Sequence, residues 1–258
     1  MVKTTLLLRL WAGFIRHGMH LYAAGAGARP LLVVIDCKGG ADSRRIAERA
    51  RRVLRDAGAA ATAIWPDEAS LSLWALPPGQ LTSTLSDMIE HGTGGAAYYA
   101  DVLEEIVRLA VAAPCGPPSS AADFLARLDP DWLRLAYAAS PDAALPGAMT
   151  RHVPDVALRF RTLLRRLGAG LDGPGHFGDA DAWYCILEGT AEITVAEAQA
   201  RALVDLLAWF AAGAGGGAAG GRREILLAVD ELNATRVDSR HQADEGACTW
   251  PGCWALDD

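Results

Sequence analysis

Lysine is almost missing from this chain. Of its 24 basic residues only Lys3 and Lys38 are lysines, the pattern of a GC-rich coding bias in which arginine serves wherever a plain positive charge suffices. A lysine that persists against that drift marks a position to weigh for function. No apolar run reaches the roughly 18 residues that a spanning helix needs, so no membrane segment is expected. The five cysteines, at 37, 115, 185, 248 and 253, contain no C-x-x-C pair. That argues against a disulfide framework, and Cys248-x-x-x-x-Cys253 has no second pair with which to hold zinc. A reducing, cytoplasmic location is expected. Net positive charge is also missing: a formal charge of −7 excludes a passive nucleic-acid coat, leaving only local basic strips. Ser43, Ser119 and Ser120 have no histidine at motif spacing, so a nucleophilic hydrolase is not indicated. His17 and His20 share a helix face, but no partner ligand is placed by the sequence, and they read as ordinary histidines.

What is present fits an α/β protein. At 258 residues and 51% hydrophobic the chain can build one sizeable domain, or a domain with an inserted subdomain. Apolar residues at helical spacing predict an amphipathic helix over residues 4–19. Arg9 splits that apolar run and no small-residue cleavage site closes it, so it reads as a helix rather than a signal peptide. Leu31-Leu-Val-Val-Ile35, closed by Asp36, suits a strand buried on both faces, as in a parallel sheet. Asp42 or Ser43 then caps a helix whose Ile46, Ala50, Val53 and Leu54 face inward, Gly58 ends it, and 61–65 is a short strand.

After Pro66 the pattern is helical up to about residue 179. The strongest predicted helix covers 96–113, with Tyr99, Val102, Leu103, Ile106, Leu109 and Ala110 on one face; shorter ones are expected at 119–128, 131–138 and 155–167. Then come a strand over 183–187, a helix over 195–210, a glycine-rich loop from Gly213 to Gly221, and a strand over 225–229 that ends in Asp230-Glu231. The arginine strips at 44–55 and 159–166 read as solvated helix faces, with DNA phosphates as the alternative.

Two features fit one chemistry. An apolar strand ending in Asp-Glu is how P-loop nucleotide hydrolases place a Mg²⁺-holding aspartate beside a carboxylate that polarises water. Lys3-Thr4-Thr5, followed at once by a helix, matches the end of G-x-x-x-x-G-K-[ST], although Val2 stands where the glycine belongs.

Taken in order, Lys3-Thr-Thr-Leu-Leu-Leu-Arg-Leu-Trp11, then Leu31-Leu-Val-Val-Ile-Asp36-Cys-Lys38-Gly39, a helical stretch, and Ile225 to Glu231 resemble the FtsK/HerA branch of P-loop ATPases. They are most similar to the coupling proteins of conjugation and type IV secretion, which share a D-x-K-G turn and an all-helical insertion. The resemblance covers about residues 3–233. It implies a RecA-like P-loop NTPase core with a mainly parallel sheet, residues 1–65 and 180–233, interrupted by a helical subdomain, 66–179. An irregular tail, 234–258, follows, which reads like a shifted frame.

By the resemblance Lys3, with Thr4 and Thr5, holds ATP phosphates. Thr4 and Asp230 hold Mg²⁺, Glu231 is the catalytic base, and Asp36 and Lys38 border the nucleotide. The implied partners are DNA or a relaxosome-type complex, with a hexamer for a complete relative. The missing glycine cradle implies a fragment with impaired ATPase activity; the alternative is a non-catalytic remnant or interaction module that keeps the fold.

Overall fold

A computed structural model describes residues 2–89, 96–213 and 222–230 of the chain. It opens with helix α1 (Val2–Ala23), strand β1 (Arg29–Asp36), helix α2 (Gly40–Asp56) and strand β2 (Thr62–Trp65). Six helices follow: α3 (Pro78–Asp87), α4 (Ala96–Val111), α5 (Ala121–Arg127), α6 (Pro130–Ala136), α7 (Ala144–Met149) and α8 (Val153–Leu167). Strand β3 (Ala182–Ile186), helix α9 (Ile193–Ala211) and strand β4 (Arg223–Asp230) complete the described chain. The four strands form one sheet in the order β2-β3-β1-β4, and every pairing is parallel. The fold is therefore α/β with an all-parallel sheet. Among the described residues no helix is long and apolar enough to cross a membrane.

The side-chain period of a strand explains the layers. In β1, Leu31, Val33 and Ile35 enter one core while Leu32 and Val34 enter the other. In β3, Trp183 and Cys185 join the first, and Ala182, Tyr184 and Ile186 the second. Both strands are covered on both faces, as parallel sheets require. The second core is closed by α1, through Leu8, Trp11, Ala12 and Ile15, and by α2, through Ala47, Ala50 and Leu54.

The first core is closed by the helices between β2 and β3 together with α9. Leu103, Phe124 and Phe160 belong to the same apolar cluster as Leu31 and Cys185, so this helical layer shares its core with the sheet. Each buried side chain of this size contributes about 1.5–3 kcal/mol.

Two local expectations need correction. The helix after β1 begins at Gly40, with Gly39 in the cap position and no side-chain cap. Asp42 and Ser43 lie inside its first turn, where the buried Ser43 hydroxyl donates to the Gly39 carbonyl at 2.9 Å. On α2, Ala50 and Leu54 are buried and Ile46 and Val53, half-buried, pack against the same core as expected, with Ala47 fully buried beside them. Tyr99, placed by its spacing on the inner face of α4, is 61% exposed: it shares the stripe of Val102, Leu103, Ile106 and Ala110 but lies in the first turn, ahead of the buried part of the helix. The expected tail, 234–258, and all but the first residue of the glycine-rich loop lie outside the described residues.

Candidate functional site

The carboxyl ends of β1 and β4 lie side by side, with Asp36 opposite Asp230 in the register. Helix α1 crosses β1 on the second-core face and brings its first turn to this rim. There Lys3 Nζ stands 3.0 Å from Asp230 Oδ1. Lys3 is largely in solvent and Asp230 one quarter exposed, so the pair adds at most about 1 kcal/mol to stability. Its significance is placement: lysine at a helix start and aspartate at a strand end, remote in sequence, meet at one point. Thr4 and Thr5 are half-buried beside Lys3.

Asp36 is built differently. It is buried, and both carboxylate oxygens are engaged: Oδ2 accepts from the Tyr184 hydroxyl at 2.8 Å and Oδ1 from the Lys38 backbone N–H at 3.0 Å. Burial, with the Asp36 charge next in weight, pushes the Tyr184 phenol far above its ordinary value. Tyr184 therefore stays protonated and donates. Its ring also meets Trp11 of α1 edge-on, with centroids 6.2 Å apart, linking the helix to the acid it orients. Lys38 itself is exposed at the tip of the turn.

The turn is locked against the loop that follows β3. Gly39 and Gly189 have φ near +68° and +67°, and a Cβ on either would strike the other segment's backbone: Leu187 from one side, Lys38 from the other. Only glycine fits both the angle and the approach. The Leu187 N–H donates to the Asp36 carbonyl at 3.0 Å. Glu188 N–H donates to the buried Gln199 side-chain oxygen, also at 3.0 Å. The chain leaves β1 for α2 on one face and β3 for α9 on the other, a switch point where open α/β sheets commonly bind ligands. Here that crevice is filled by Gly39 and Gly189, which leaves the rim above β1 and β4, where Lys3 and Asp230 stand.

Sequence reasoning brought Lys3, Thr4, Thr5, Asp36, Lys38 and Asp230 to one end of the sheet, and all six lie at that end. Glu231 lies outside the described residues. Tyr184 and Gly189 were missed. Alternation along β3 puts Tyr184 on the same face as Val34, but nothing local marks it as the partner of Asp36. At the opposite end of the sheet a second polar group was also missed: Asp181, fully buried, between Arg29 and Arg223. Among the described residues no group of three or more His, Cys, Asp or Glu side chains is gathered as a metal site.

The site and fold thus define a parallel α/β protein with a lysine, an aspartate and a helix start at the carboxyl ends of its strands. Comparison with protein-family models, curated proteins and solved structures found no match to this chain.

Proposed function

We propose that this chain is the nucleotide-hydrolysing core of a DNA-translocation motor, of the kind that serves conjugation and type IV secretion, on a RecA-like P-loop fold. The observation that carries the reading is the 3.0 Å contact between Lys3 and Asp230. It joins the two residue types that nucleotide hydrolysis needs, at the sheet end where ligands gather.

The residues present fit Mg-ATP in part. Bound Mg-ATP supplies a γ-phosphoryl group open to attack and a divalent charge that offsets its oxygens. Lys3 is exposed and long enough to turn from Asp230 to a phosphate. The Thr4 hydroxyl and Asp230 offer hard oxygen ligands to Mg²⁺. The positive end of the α1 helix dipole, at its first turn, favours an anion. Asp36, with both oxygens engaged, orients the turn that carries Lys38 rather than holding a ligand itself. Glu231 is assigned the general base from the sequence alone. DNA or a relaxosome-type complex as cargo, and a hexameric assembly, follow from the resemblance.

Phosphate release from Mg-ATP by the purified chain tests this. Asp230→Asn should slow it about tenfold or more, since each 1.4 kcal/mol of lost transition-state stabilisation is a factor of ten. A rate that Asp230→Asn leaves unchanged would refute the assignment.

One observation favours the second reading, a remnant or interaction module without a working phosphate grip. Val2, not glycine, precedes Lys3 and is already helical, so this position does not offer the open turn that a P-loop glycine gives. No binding of Mg-ATP by the folded parent protein would support that reading.

A further inference from the structure

The chain carries a formal charge of −7, yet one face of the molecule is basic. Helices α1 and α2 lie side by side over the second core. Along its 22 residues α1 carries Lys3, Arg9 and Arg16 and no acid. Helix α2 carries six arginines against Asp42, Glu48 and Asp56. The remainder of the chain is therefore more acidic than the whole, and the contrast sets this pair of helices apart.

Helical spacing sorts their side chains into rows. On α1, Leu8, Trp11 and Ile15 are buried against the sheet, while Leu6 and Leu10, four residues apart on the opposite side, are 56% and 58% exposed. Arg9 and Arg16, seven apart and exposed, flank the two leucines. On α2, Arg45, Arg49 and Arg52 form an exposed row opposite the buried Ala47, Ala50 and Leu54. Several cations of α2 are already engaged: Arg44 by Asp67 at 2.7 Å, Arg45 by Asp42, and Arg51 by Glu48 and Glu68. Among the described residues Arg9, Arg16, Arg49 and Arg52 make no hydrogen bond or ion pair. Asp56, one turn past Arg52, is the acid left beside them.

Folding accounts for neither feature. Leucines more than half exposed add little to stability, and unpaired like charges on adjacent helices repel one another. Leucines set among arginines on a two-helix layer fit a partner that is anionic at its surface and apolar just beneath it. A polynucleotide would take up the arginines but leave Leu6 and Leu10 in water. We propose that the outer face of α1 and α2 docks on an anionic membrane surface, with Leu6 and Leu10 at the headgroup boundary and Arg9, Arg16, Arg49 and Arg52 against lipid phosphates. Among the described residues no helix is long and apolar enough to cross a bilayer, so α1 lies in the plane of the surface. This face does not rest on the nucleotide-binding reading of Lys3 and Asp230.

Co-sedimentation of the full chain, without nucleotide and at low salt, with vesicles of phosphatidylcholine containing one quarter phosphatidylglycerol tests it. The parent protein should bind these vesicles and not pure phosphatidylcholine, and high salt should release it. Arg49→Gln combined with Arg52→Gln should weaken binding roughly 30-fold, about fivefold for each arginine at the surface. Leu6→Gln combined with Leu10→Gln should weaken it about tenfold or more. The arginine pair, on a different helix, gives a second readout if the leucine variant unfolds. No binding of the parent protein to anionic vesicles, equal binding to neutral ones, or undiminished binding by the folded arginine variant would overturn the proposal. Vesicle binding that survives the leucine substitutions and is displaced by an oligothymidylate would overturn it in favour of a general polyanion surface.

Discussion

Substituting Asp181 by asparagine probes the clamp that ties three strands together at the amino end of the sheet. Asp181 Oδ2 accepts from Arg29 Nη2 at 3.0 Å and from the Ala60 N–H at 2.8 Å. Oδ1 lies 2.7 Å from Arg29 Nε and 3.2 Å from Arg223 Nη1. Oδ2 thus accepts from two donors and Oδ1 from Arg223, and an amide NH₂ in either orientation would set its own donors against at least one of them. Two charge-assisted contacts at about 1.5–3 kcal/mol each agree with the roughly 3–5 kcal/mol cost of breaking a buried ion pair from one side.

For a chain near this length about 1 kcal/mol moves Tm by roughly 2–4 °C, so Asp181→Asn should lower it by about 6–20 °C. The pH dependence adds an independent readout. Burial by itself would raise the Asp181 carboxyl, but the hydrogen bonds from Arg29 and Ala60, the Arg29 charge and the Arg223 bond outweigh it and hold the group below its ordinary value. A depressed pKa stabilises the fold above the unfolded value near 3.9 and loses that contribution as pH falls toward the folded one. The parent protein should therefore destabilise more steeply below about pH 4 than Asp181→Asn does. Calorimetry over that range measures both effects. A Tm change under about 2 °C at neutral pH would refute the clamp.

Two further substitutions test the rim. Tyr184→Phe removes the hydroxyl that donates to buried Asp36 and should cost about 1–3 kcal/mol by denaturant titration; a neutral effect would mean that Asp36 does not depend on Tyr184. Gly189→Ala places a methyl against the Lys38 carbonyl at a positive φ and should cost more than about 1 kcal/mol. Hydrogen exchange should locate the loosening at residues 36–40, and unchanged exchange there would show that the two segments are not locked.

Much of this architecture is legible in the sequence where one physical signal dominates. The run from Leu31 to Ile35 is apolar on both sides of its pleat, which suits a strand covered on both faces, and it is buried throughout. The placement of Lys3 near Asp230 was legible only by combining weak signals. A lysine before a helix and an acid after a strand mean little singly; a parallel sheet with the helix crossing it brings them together.

What stayed hidden depends on distant partners or on rules that compete. Helix α7 contains Pro146 and Gly147, which read as breakers, yet forms because Pro146 falls in its first turn, where a helix makes no use of the missing N–H. Tyr99 satisfies the helical period but stands in the first turn of α4, ahead of the point where burial begins at Val102. Arg127 sits in an exposed-looking helix, yet it is buried, donating to the carbonyls of Ala110, Gly116 and Pro117 and lying 5.3 Å from the Trp132 ring. No local pattern announces those acceptors.

Thermal stabilisation by Mg-ATP tests the central claim most directly, because it reads binding at the Lys3 and Asp230 rim without requiring turnover. A ligand present at about 100 times its Kd adds roughly 2.7 kcal/mol to stability, or about 5–11 °C in Tm. The parent protein should show such a shift with Mg-ATP, and Lys3→Ala should show little of it. No shift in the parent protein, or the same shift in Lys3→Ala, would contradict a nucleotide site at Lys3.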